Sequence, residues 1–251
     1  MSASNNKYWV GSENHRIRLS EVDETRTVTL PALVGLIQEV AWNNSVNLNC
    51  SAYDLMKHGV TWVVYRMQIS IKKYPKHQDL LTAQSWPSSM DRLYTYRDYR
   101  INDEQGNEIL RATSAWLVMD IYKRELVSVP EFIRKGLDFE QDYDRLELDR
   151  SKLKSVSQGE GNYDVTVRKF DMDVNKHVSN TLYFQWLLEG MGERLNDDMR
   201  VQYIDIQFKG EGKKGDELSV LFEGIGEGEF THQIVNKNSG NELIRARSVF
   251  I

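Results

Sequence analysis

The chain has 251 residues, of which 40% are hydrophobic and 27% are charged, the balance of an ordinary globular protein and not of a disordered or membrane chain. A net charge of −5 argues against a nucleic-acid partner, and the single cysteine, Cys50, excludes an internal disulfide and a cysteine-rich metal site. The sequence has neither an apolar run of about 20 residues nor the opening pattern of a signal or transit peptide, so we expect a cytoplasmic protein without a membrane partner.

The first half of the chain predicts an opening strand, one apolar helix and four further strands. Pro31 stands where a helix tolerates proline, in its first turn, so the helix is expected over 31–45. Apolar residues recur along it at helical spacing: Leu33, Leu36, Ile37, Val40 and Ala41. Runs with strand character follow at 61–71, 80–85, 93–102 and 108–120.

The second half predicts the same order of elements. Its helix is expected over 180–194, with Ser179 or Asn180 as the N-cap. Strands are expected at 201–208, 217–223, 230–236 and 242–251. The charged segment 138–158 has the composition of a surface linker, so we predict an N-terminal unit over 1–137 and a C-terminal unit over 159–251.

An internal repeat supports this division. The segment 109–116, ILRATSAW, resembles the segment 243–250, LIRARSVF, and their arginines are 245 − 111 = 134 positions apart. Upstream, Asp79 and Asp216 precede similar strands and are 216 − 79 = 137 apart. A period this long indicates a duplicated domain and not a solenoid. The sequence therefore predicts an α+β fold in which each unit packs one helix against a curved antiparallel sheet.

Two familiar motifs can be set aside. The string GEGKKG at 210–215 matches the dinucleotide fingerprint, but the residues after it alternate as a strand and do not open the helix that would receive a pyrophosphate. A serine hydrolase would carry a GxSxG string, which this chain does not contain. Cys50 has no histidine at a recognisable catalytic spacing and is expected to be a small buried residue.

The polar cluster at 168–180 runs directly into the second helix. Asp173, Asn175 and His177 alternate, so an extended segment would place all three side chains on one face. They supply a carboxylate, an amide and an imidazole, which can act as base, orienter and hydrogen-bond donor beside a helix N-terminus. The corresponding stretch of the first half, 24–30, contains no Asp-x-Asn-x-His set.

At this cluster the sequence resembles the acyl-acyl-carrier-protein thioesterases of plants and bacteria. The family pattern is D-x-N-x-H-V-N-N followed by Y-x-x-W-x-x-E. The matching residues are Asp173, Asn175, His177, Val178, Asn180, Tyr183, Trp186 and Glu189, and Ser179 replaces the first asparagine of the N-N pair. The resemblance extends over roughly residues 8–251.

The resemblance implies two tandem hotdog units, each a long helix cradled by an antiparallel sheet. It also implies that the first unit shapes the acyl-chain pocket, with Leu36 and Val40 as candidate wall residues, and that the second unit holds the catalytic groups. The family carboxylate on a later strand corresponds to Glu211. Gly212 stands where many plant members have cysteine, which favours direct attack by water over a thiolate mechanism.

The implied reaction is hydrolysis of a fatty acyl-acyl-carrier-protein thioester. Amides of Val178, Ser179 and Asn180 would stabilise the oxyanion, and Glu211, or His177 oriented by it, would deprotonate water. Asn175 would position water or the carbonyl, and Asp173 would orient neighbours or itself act as the base.

The expected partner is the acidic acyl carrier protein, which brings its own phosphopantetheine, so no metal or other cofactor is expected. Lysines before equivalent strands could form its docking surface: Lys72, Lys73, Lys76, Lys209, Lys213 and Lys214. The protein could be a monomer or a homodimer. An acyl-CoA thioesterase, a hotdog-type hydroxyacyl-thioester dehydratase and a non-catalytic acyl-binding module remain as alternatives.

Overall fold

A computed structural model describes residues 9–137, 146–196 and 199–251 of the chain. The chain forms two compact units. The first contains residues up to Leu148 and the second contains Asp149–Ile251, and two short segments, Leu30–Ala32 and Gln68–Ile71, belong to the second unit. Each unit combines helices with antiparallel strands, so the predicted α+β class is confirmed.

The first unit begins with a strand and a long helix. Its elements are β1 (Gly11–Arg16), α1 (Leu30–Asn47), α2 (Ala52–Met56), β2 (Val60–Ile71), β3 (Leu80–Met90), β4 (Thr95–Asp103), β5 (Glu108–Asp120), β6 (Leu126–Val127) and α3 (Glu131–Gly136). The strands follow the spatial order β1-β3-β4-β5-β2, and β6 pairs with the end of β5. The β3–β4 and β4–β5 pairs are antiparallel.

The second unit repeats this arrangement with a shorter helix. Its elements are β7 (Gly161–Thr166), α4 (Asn180–Glu189), β8 (Val201–Phe208), β9 (Glu217–Gly226), β10 (Glu229–Asn236) and β11 (Glu242–Phe250). The strands follow the order β7-β9-β10-β11-β8, which is the order of the first unit when elements are matched in sequence. β1 and β7 are the opening strands that the sequence predicts.

The buried face of α1 is the apolar stripe read from the sequence. Leu33, Ile37, Val40 and Ala41 are buried, whereas Leu36 is only half-buried. Burying one such side chain contributes roughly 1.5–3 kcal/mol, so packing of this stripe stabilises the helix far more than helix propensity does.

The second helix is shorter than predicted. It ends at Glu189 instead of 194, and a 3₁₀ turn follows over Gly192–Arg194. Gly192 has a φ of +52°, a conformation that favours glycine and ends regular helix. A Cβ on Gly190 would lie 2.7 Å from Val220 Cγ1, so this glycine lets the helix end approach β9 closely.

The predicted linker is only partly a surface excursion. Residues 138–145 lie outside the described residues. In the described remainder, Leu153 is buried, and its carbonyl accepts a hydrogen bond from Arg245 Nη1. The carbonyl of Lys154 accepts one from Thr231 Oγ1. These contacts fix the end of the segment against β10 and β11.

A buried histidine gives the second unit an expected sensitivity to acid. His232 on β10 is almost fully buried, its Nε2 lies 2.6 Å from Ser248 Oγ, and burial lowers its pKa to about 4. Between that value and the ordinary pKa of about 6.5, the unfolded chain binds a proton that the folded chain does not. The free energy of unfolding should therefore fall by about 3 kcal/mol as the pH drops from 6.5 towards 4.

Urea unfolding at a series of pH values measures this loss. The matched variant is His232→Gln, which keeps a hydrogen-bonding side chain but cannot take up a proton in this range. Its unfolding free energy should fall less steeply over the same pH interval. Equal slopes for the two proteins would show that other groups cause the acid sensitivity.

Candidate active site

The polar cluster folds into a tight turn and not into an extended segment. After a 3₁₀ turn over Lys169–Asp171, the N–H of Asp173 donates to the carbonyl of His177 at 2.8 Å. Asp173 Oδ1 accepts the backbone N–H groups of Asn175 (2.8 Å) and His177 (3.2 Å), and Lys176 has a φ of +64°. The prediction that alternation places Asp173, Asn175 and His177 on one face of an extended segment is therefore wrong, because an aspartate-capped turn replaces the extended backbone.

The turn brings His177 to Glu211. His177 Nε2 lies 3.1 Å from Glu211 Oε2, and both side chains keep about a quarter of their surface exposed, at 23% and 28%. Val178, next in the chain to His177, donates its N–H to the carbonyl of Gly212, next to Glu211, at 3.0 Å. The imidazole–carboxylate pair is thus supported by a backbone hydrogen bond one residue further along each chain segment.

Gly212 is held by a second hydrogen bond from the helix. Its N–H donates to Tyr183 Oη on α4 at 3.0 Å. Tyr183 is only 2% exposed, and burial raises the pKa of its phenol to about 12. Both polar groups of the Gly212 backbone are therefore satisfied by the turn and by the start of α4.

The oxyanion role predicted for the amides of Val178 and Ser179 is wrong. Val178 N–H donates to Gly212 O, and Ser179 N–H donates to Asp171 O at 2.9 Å. Within the described part of the chain, the N–H groups of Asn180 and Thr181 have no acceptor recorded. Because the first N–H groups of a helix lack intrahelical acceptors, these two amides are the ones that could stabilise a negative charge.

The predicted side-chain cap of this helix is also absent. Ser179 holds the N-cap position, but its Oγ pairs with Thr181 Oγ1 at 2.9 Å and caps no backbone amide. The side chain of Asn180 is half-buried in the first turn. The Ser179 side chain therefore accepts no hydrogen bond from a backbone N–H of the first helical turn, whereas a capping serine would accept one.

The first unit contains a copy of this turn without its acid–base groups. Asp23 accepts the N–H groups of Thr25 (2.9 Å) and Thr27 (3.1 Å), and Arg26 has a φ of +61°. Val28 N–H donates to the carbonyl of Pro75 at 2.9 Å. Residues of the turn in the second unit have numbers 173 − 23 = 150 higher than their counterparts in the first unit. Residues of the segment that faces the turn have numbers 212 − 75 = 137 higher than theirs.

The two copies differ at the positions that matter for chemistry. Thr25 stands at the position of Asn175, and Thr27 stands at that of His177. The counterpart of Asp173 is Asp23, one residue before the stretch 24–30 that the sequence alone suggested. The aspartate is present in both copies because it caps the turn, and only the second copy adds the imidazole.

The remaining predicted site residues lie in the first unit. Leu36 keeps part of its surface exposed on α1, whereas Val40 is completely buried in the core. Cys50 is buried, and burial raises the pKa of its thiol, which disfavours the reactive thiolate. Among the described residues, no group of three or more His, Cys, Asp or Glu side chains is placed to hold a metal ion.

Comparison with known proteins identifies the family. Residues 9–137 match the family model of the acyl-ACP thioesterase N-terminal domain, and residues 154–251 match that of the C-terminal domain. The chain belongs to the acyl-ACP thioesterase family. The resemblance read from the residues around His177 is therefore confirmed.

Curated relatives of the family include two plant enzymes. The chain is 29% identical over 244 residues to oleoyl-acyl carrier protein thioesterase 2, chloroplastic, of Arabidopsis thaliana, covering 91% of this chain and 65% of the relative. It is 27% identical over 265 residues to palmitoyl-acyl carrier protein thioesterase, chloroplastic, of Gossypium hirsutum, covering 95% and 63%. The chain thus spans just under two thirds of the length of these relatives.

Solved acyl-ACP thioesterases share the fold. A crystal structure of an acyl-ACP thioesterase from Bacteroides thetaiotaomicron is 22% identical, covers 100% of both chains and superposes with a TM-score of 0.87. The 12:0-ACP thioesterase from Umbellularia californica is 21% identical, covers 97% of each chain and has a TM-score of 0.82. The fold is accordingly the hotdog-like α+β fold of acyl-ACP thioesterases.

Proposed function

We propose that this protein hydrolyses fatty acyl-acyl-carrier-protein thioesters to a free fatty acid and holo carrier protein, which ends chain elongation. The observation that carries the proposal is the His177–Glu211 pair, at 3.1 Å, on the turn that leads into the open amides of Asn180 and Thr181. An imidazole oriented by a carboxylate can take a proton from water, and open helix amides can hold an oxyanion.

In this mechanism water attacks the carbonyl carbon of the thioester. His177, oriented by Glu211, takes the proton from water as the new C–O bond forms. Amides at the start of α4 stabilise the oxyanion, an effect worth about 3 kcal/mol per donor in preorganised sites. The C–S bond then breaks, and the proton passes from His177 to the departing sulfur.

The other polar residues of the turn have supporting roles in this proposal. Asp173 holds the turn through its two backbone hydrogen bonds. The exposed side chain of Asn175 positions water or the thioester carbonyl. Gly212 offers no thiol, so the reaction proceeds without a covalent acyl-enzyme at that position. The phosphopantetheine arrives on the carrier protein, and no separate cofactor takes part.

We further propose that the two compact units are tandem hotdog copies with different tasks. In this proposal the first copy corresponds to the predicted unit 1–137 and the second to 159–251, and the described end of the predicted linker, 138–158, packs with the second unit from Asp149 onwards. The same strand order in both units and the duplicated aspartate turn support this assignment. The first unit, whose turn carries threonines in place of the amide and imidazole, shapes the acyl-chain pocket, and the second carries the reaction.

Enlarging Leu36 should shorten the preferred acyl chain. Leu36 is half-buried, and its counterpart in α4, at 186 − 36 = 150, is the buried Trp186, so this helix position accepts a tryptophan. Each methylene excluded from the pocket forfeits about 0.8 kcal/mol, or about fourfold in kcat/KM. Product profiles of Leu36→Trp across chain lengths measure the shift, and short chains should still turn over.

Val40→Trp serves as the control for this change. Val40 has no exposed surface, so the larger side chain should overpack the core and lower the unfolding free energy by about 1–3 kcal/mol. It should not shift chain-length preference in the way that Leu36→Trp does. A folded Leu36→Trp variant that loses activity equally on all chain lengths would remove Leu36 from the pocket wall.

We propose that the acyl carrier protein is the partner and that exposed lysines outside ion pairs contact it. Of the six candidate lysines, three are in ion pairs: Lys72 with Glu108, Lys73 with Asp103 and Lys209 with Glu242. For Lys76, Lys213 and Lys214, which are exposed, no ion pair with another described residue is recorded.

In the proposal, two apolar side chains of the second unit join Lys213 and Lys214 as contacts for the carrier protein. Phe170 is 93% exposed and Val174 is 79% exposed. Their counterparts in the first unit, at 170 − 150 = 20 and 174 − 150 = 24, are Ser20 and Glu24. Exposed apolar residues and the exposed cations of Lys213 and Lys214, all in the second unit, suit an acidic carrier protein.

One assay tests the function and its alternatives. Thiol release is measured from an acyl carrier protein substrate and from the matching acyl-CoA, each at low and high ionic strength. The proposal expects higher kcat/KM with the carrier protein, falling as salt screens the docking charges. Preference for acyl-CoA would favour an acyl-CoA thioesterase. Dehydration without thiol release would favour a hydroxyacyl-thioester dehydratase, and binding without turnover would favour a non-catalytic acyl-binding module.

Location and assembly stay predictions. The plant relatives are named chloroplastic, and we propose a cytoplasmic site of action for this chain as a monomer or homodimer. No helix in the described ranges has both the length and the apolar character needed to cross a membrane.

A further inference from the structure

We propose that Tyr183 is a positioning residue that fixes Glu211 against His177 through the backbone of Gly212. The inference rests on the proposed function, because it assigns Tyr183 a part in the chemistry of the His177–Glu211 pair. Tyr183 itself touches neither side chain in a recorded hydrogen bond, and its hydroxyl acts one residue away from Glu211.

The first support is the way Gly212 is held. Its carbonyl accepts from Val178 N–H at 3.0 Å, and its N–H donates to Tyr183 Oη at 3.0 Å. The N–H of Gly212 belongs to the same peptide group as the carbonyl of Glu211. A hydrogen bond from this N–H therefore fixes the backbone of Glu211. The backbone position in turn limits where the Glu211 carboxylate, whose side chain is 28% exposed, can lie.

The second support comes from the copy in the first unit. The residue that matches Tyr183, at 183 − 150 = 33, is Leu33, and the residue that matches Gly212, at 212 − 137 = 75, is Pro75. Leucine has no hydroxyl to accept a hydrogen bond, and proline has no N–H to donate one. The first unit, which lacks the catalytic histidine, therefore has neither the N–H donor nor the hydroxyl acceptor of this hydrogen bond. It keeps the neighbouring hydrogen bond from Val28 N–H to the carbonyl of Pro75.

The third support is the close packing at Gly212. A Cβ at this position would lie 2.9 Å from Val178 Cγ2 and 3.0 Å from Tyr183 Oη. The absence of a side chain lets the backbone of Gly212 approach the tyrosine closely enough for the hydrogen bond. Because the phenol is buried and its pKa is raised to about 12, the hydroxyl stays neutral over the working pH range.

Removing the hydroxyl should loosen Glu211 without emptying the core. In Tyr183→Phe the aromatic ring still fills its buried place, but the buried N–H of Gly212 loses its acceptor. Small displacements of a catalytic group are costly, so we expect kcat to fall about tenfold or more with little change in KM. The pH dependence of kcat should also change, because the imidazole then lies beside a carboxylate that is no longer fixed.

The matched control is Tyr163→Phe, which removes one tyrosine hydroxyl from the same unit. Tyr163, on β7, donates its hydroxyl to Glu189 Oε2 at 3.0 Å, whereas the Gly212 N–H donates to Tyr183. This variant should keep the wild-type kcat and pH profile. A double-mutant cycle with Glu211→Gln completes the test: Tyr183→Phe should add no further loss of kcat once the carboxylate is absent.

The outcomes separate the inference from the function on which it rests. Wild-type protein that releases no thiol from acyl carrier protein would overturn the proposed function. Active wild-type protein together with a folded Tyr183→Phe of unchanged kcat and pH profile would overturn the role of Tyr183 alone. Additive losses in the cycle would do the same, since they would mean that the hydroxyl acts independently of Glu211.

A second variant covers the case in which Tyr183→Phe does not fold, as judged by circular dichroism. Gly212→Ala keeps the hydroxyl and the N–H but places a methyl group 2.9 Å from Val178 Cγ2 and 3.0 Å from Tyr183 Oη, so the backbone or these side chains must shift and the hydrogen bond from Gly212 N–H to Tyr183 Oη is disturbed. We expect Gly212→Ala to lower kcat as Tyr183→Phe does. Combined with Glu211→Gln, it should cause no further loss of kcat. Wild-type kcat and pH profile in folded Gly212→Ala would overturn the inference.

Discussion

His177→Ala is expected to lower the turnover of an acyl-ACP thioester by about 100-fold or more, the scale for removing a general acid–base group. In the proposed mechanism the imidazole moves the proton between water and sulfur, and Glu211 Oε2 lies 3.1 Å from its Nε2. Folding should be little affected, because the side chain is only half-buried in a polar turn. Thiol release at saturating substrate measures the loss.

The first unit offers a matched control for this change. His15 Nε2 lies 2.8 Å from Glu21 Oε2, so the chain contains a second histidine–glutamate pair of similar burial. His15→Ala should lose that pair and keep the wild-type turnover. Equal activity losses in the two variants would mean that such pairs matter for folding, and unchanged turnover in folded His177→Ala would remove His177 from the mechanism.

The element order could be predicted because the sequence repeats its patterns. The segments 109–116 and 243–250 lie on β5 and β11, which hold equivalent places in the two strand orders. Alternating or continuous apolar runs predicted the later strands to within a few residues at most ends. The end of α4 was missed because apolar spacing continues to Met191, whereas backbone conformation changes at Gly192.

The members of the candidate site could be read from sequence, but their arrangement could not. Alternation of Asp173, Asn175 and His177 fits an extended strand as well as a turn. The turn forms because the side chain of Asp173 accepts two backbone amides and its N–H donates to the carbonyl of His177. Which helix amides stay open depends on the facing carbonyls of Asp171 and Gly212, and Gly212 is distant in sequence. The role proposed for Tyr183 was also not predicted, although the sequence contains a signal for it: Tyr183 stands where the first unit has Leu33, and Gly212 stands where it has Pro75.

The two capping aspartates allow structure and chemistry to be separated. Asp173→Ala and Asp23→Ala each remove the acceptor of two turn amides, so each should lower the unfolding free energy by about 2 kcal/mol. Only Asp173→Ala should also lower kcat, by about tenfold or more, because the turn in the second unit holds His177. Chemical denaturation and thiol-release kinetics on both variants give the comparison.

Asp173→Asn then decides between the two roles open to this residue. An asparagine keeps an oxygen that can accept the N–H groups of Asn175 and His177, but it cannot act as a base at neutral pH. If Asp173 only holds the turn, this variant should retain most of the wild-type kcat. If Asp173 is itself the base, kcat should fall about 100-fold, as for His177→Ala. The second result would transfer proton abstraction from His177 to the carboxylate, and the imidazole would then serve to orient water or to protonate the departing sulfur.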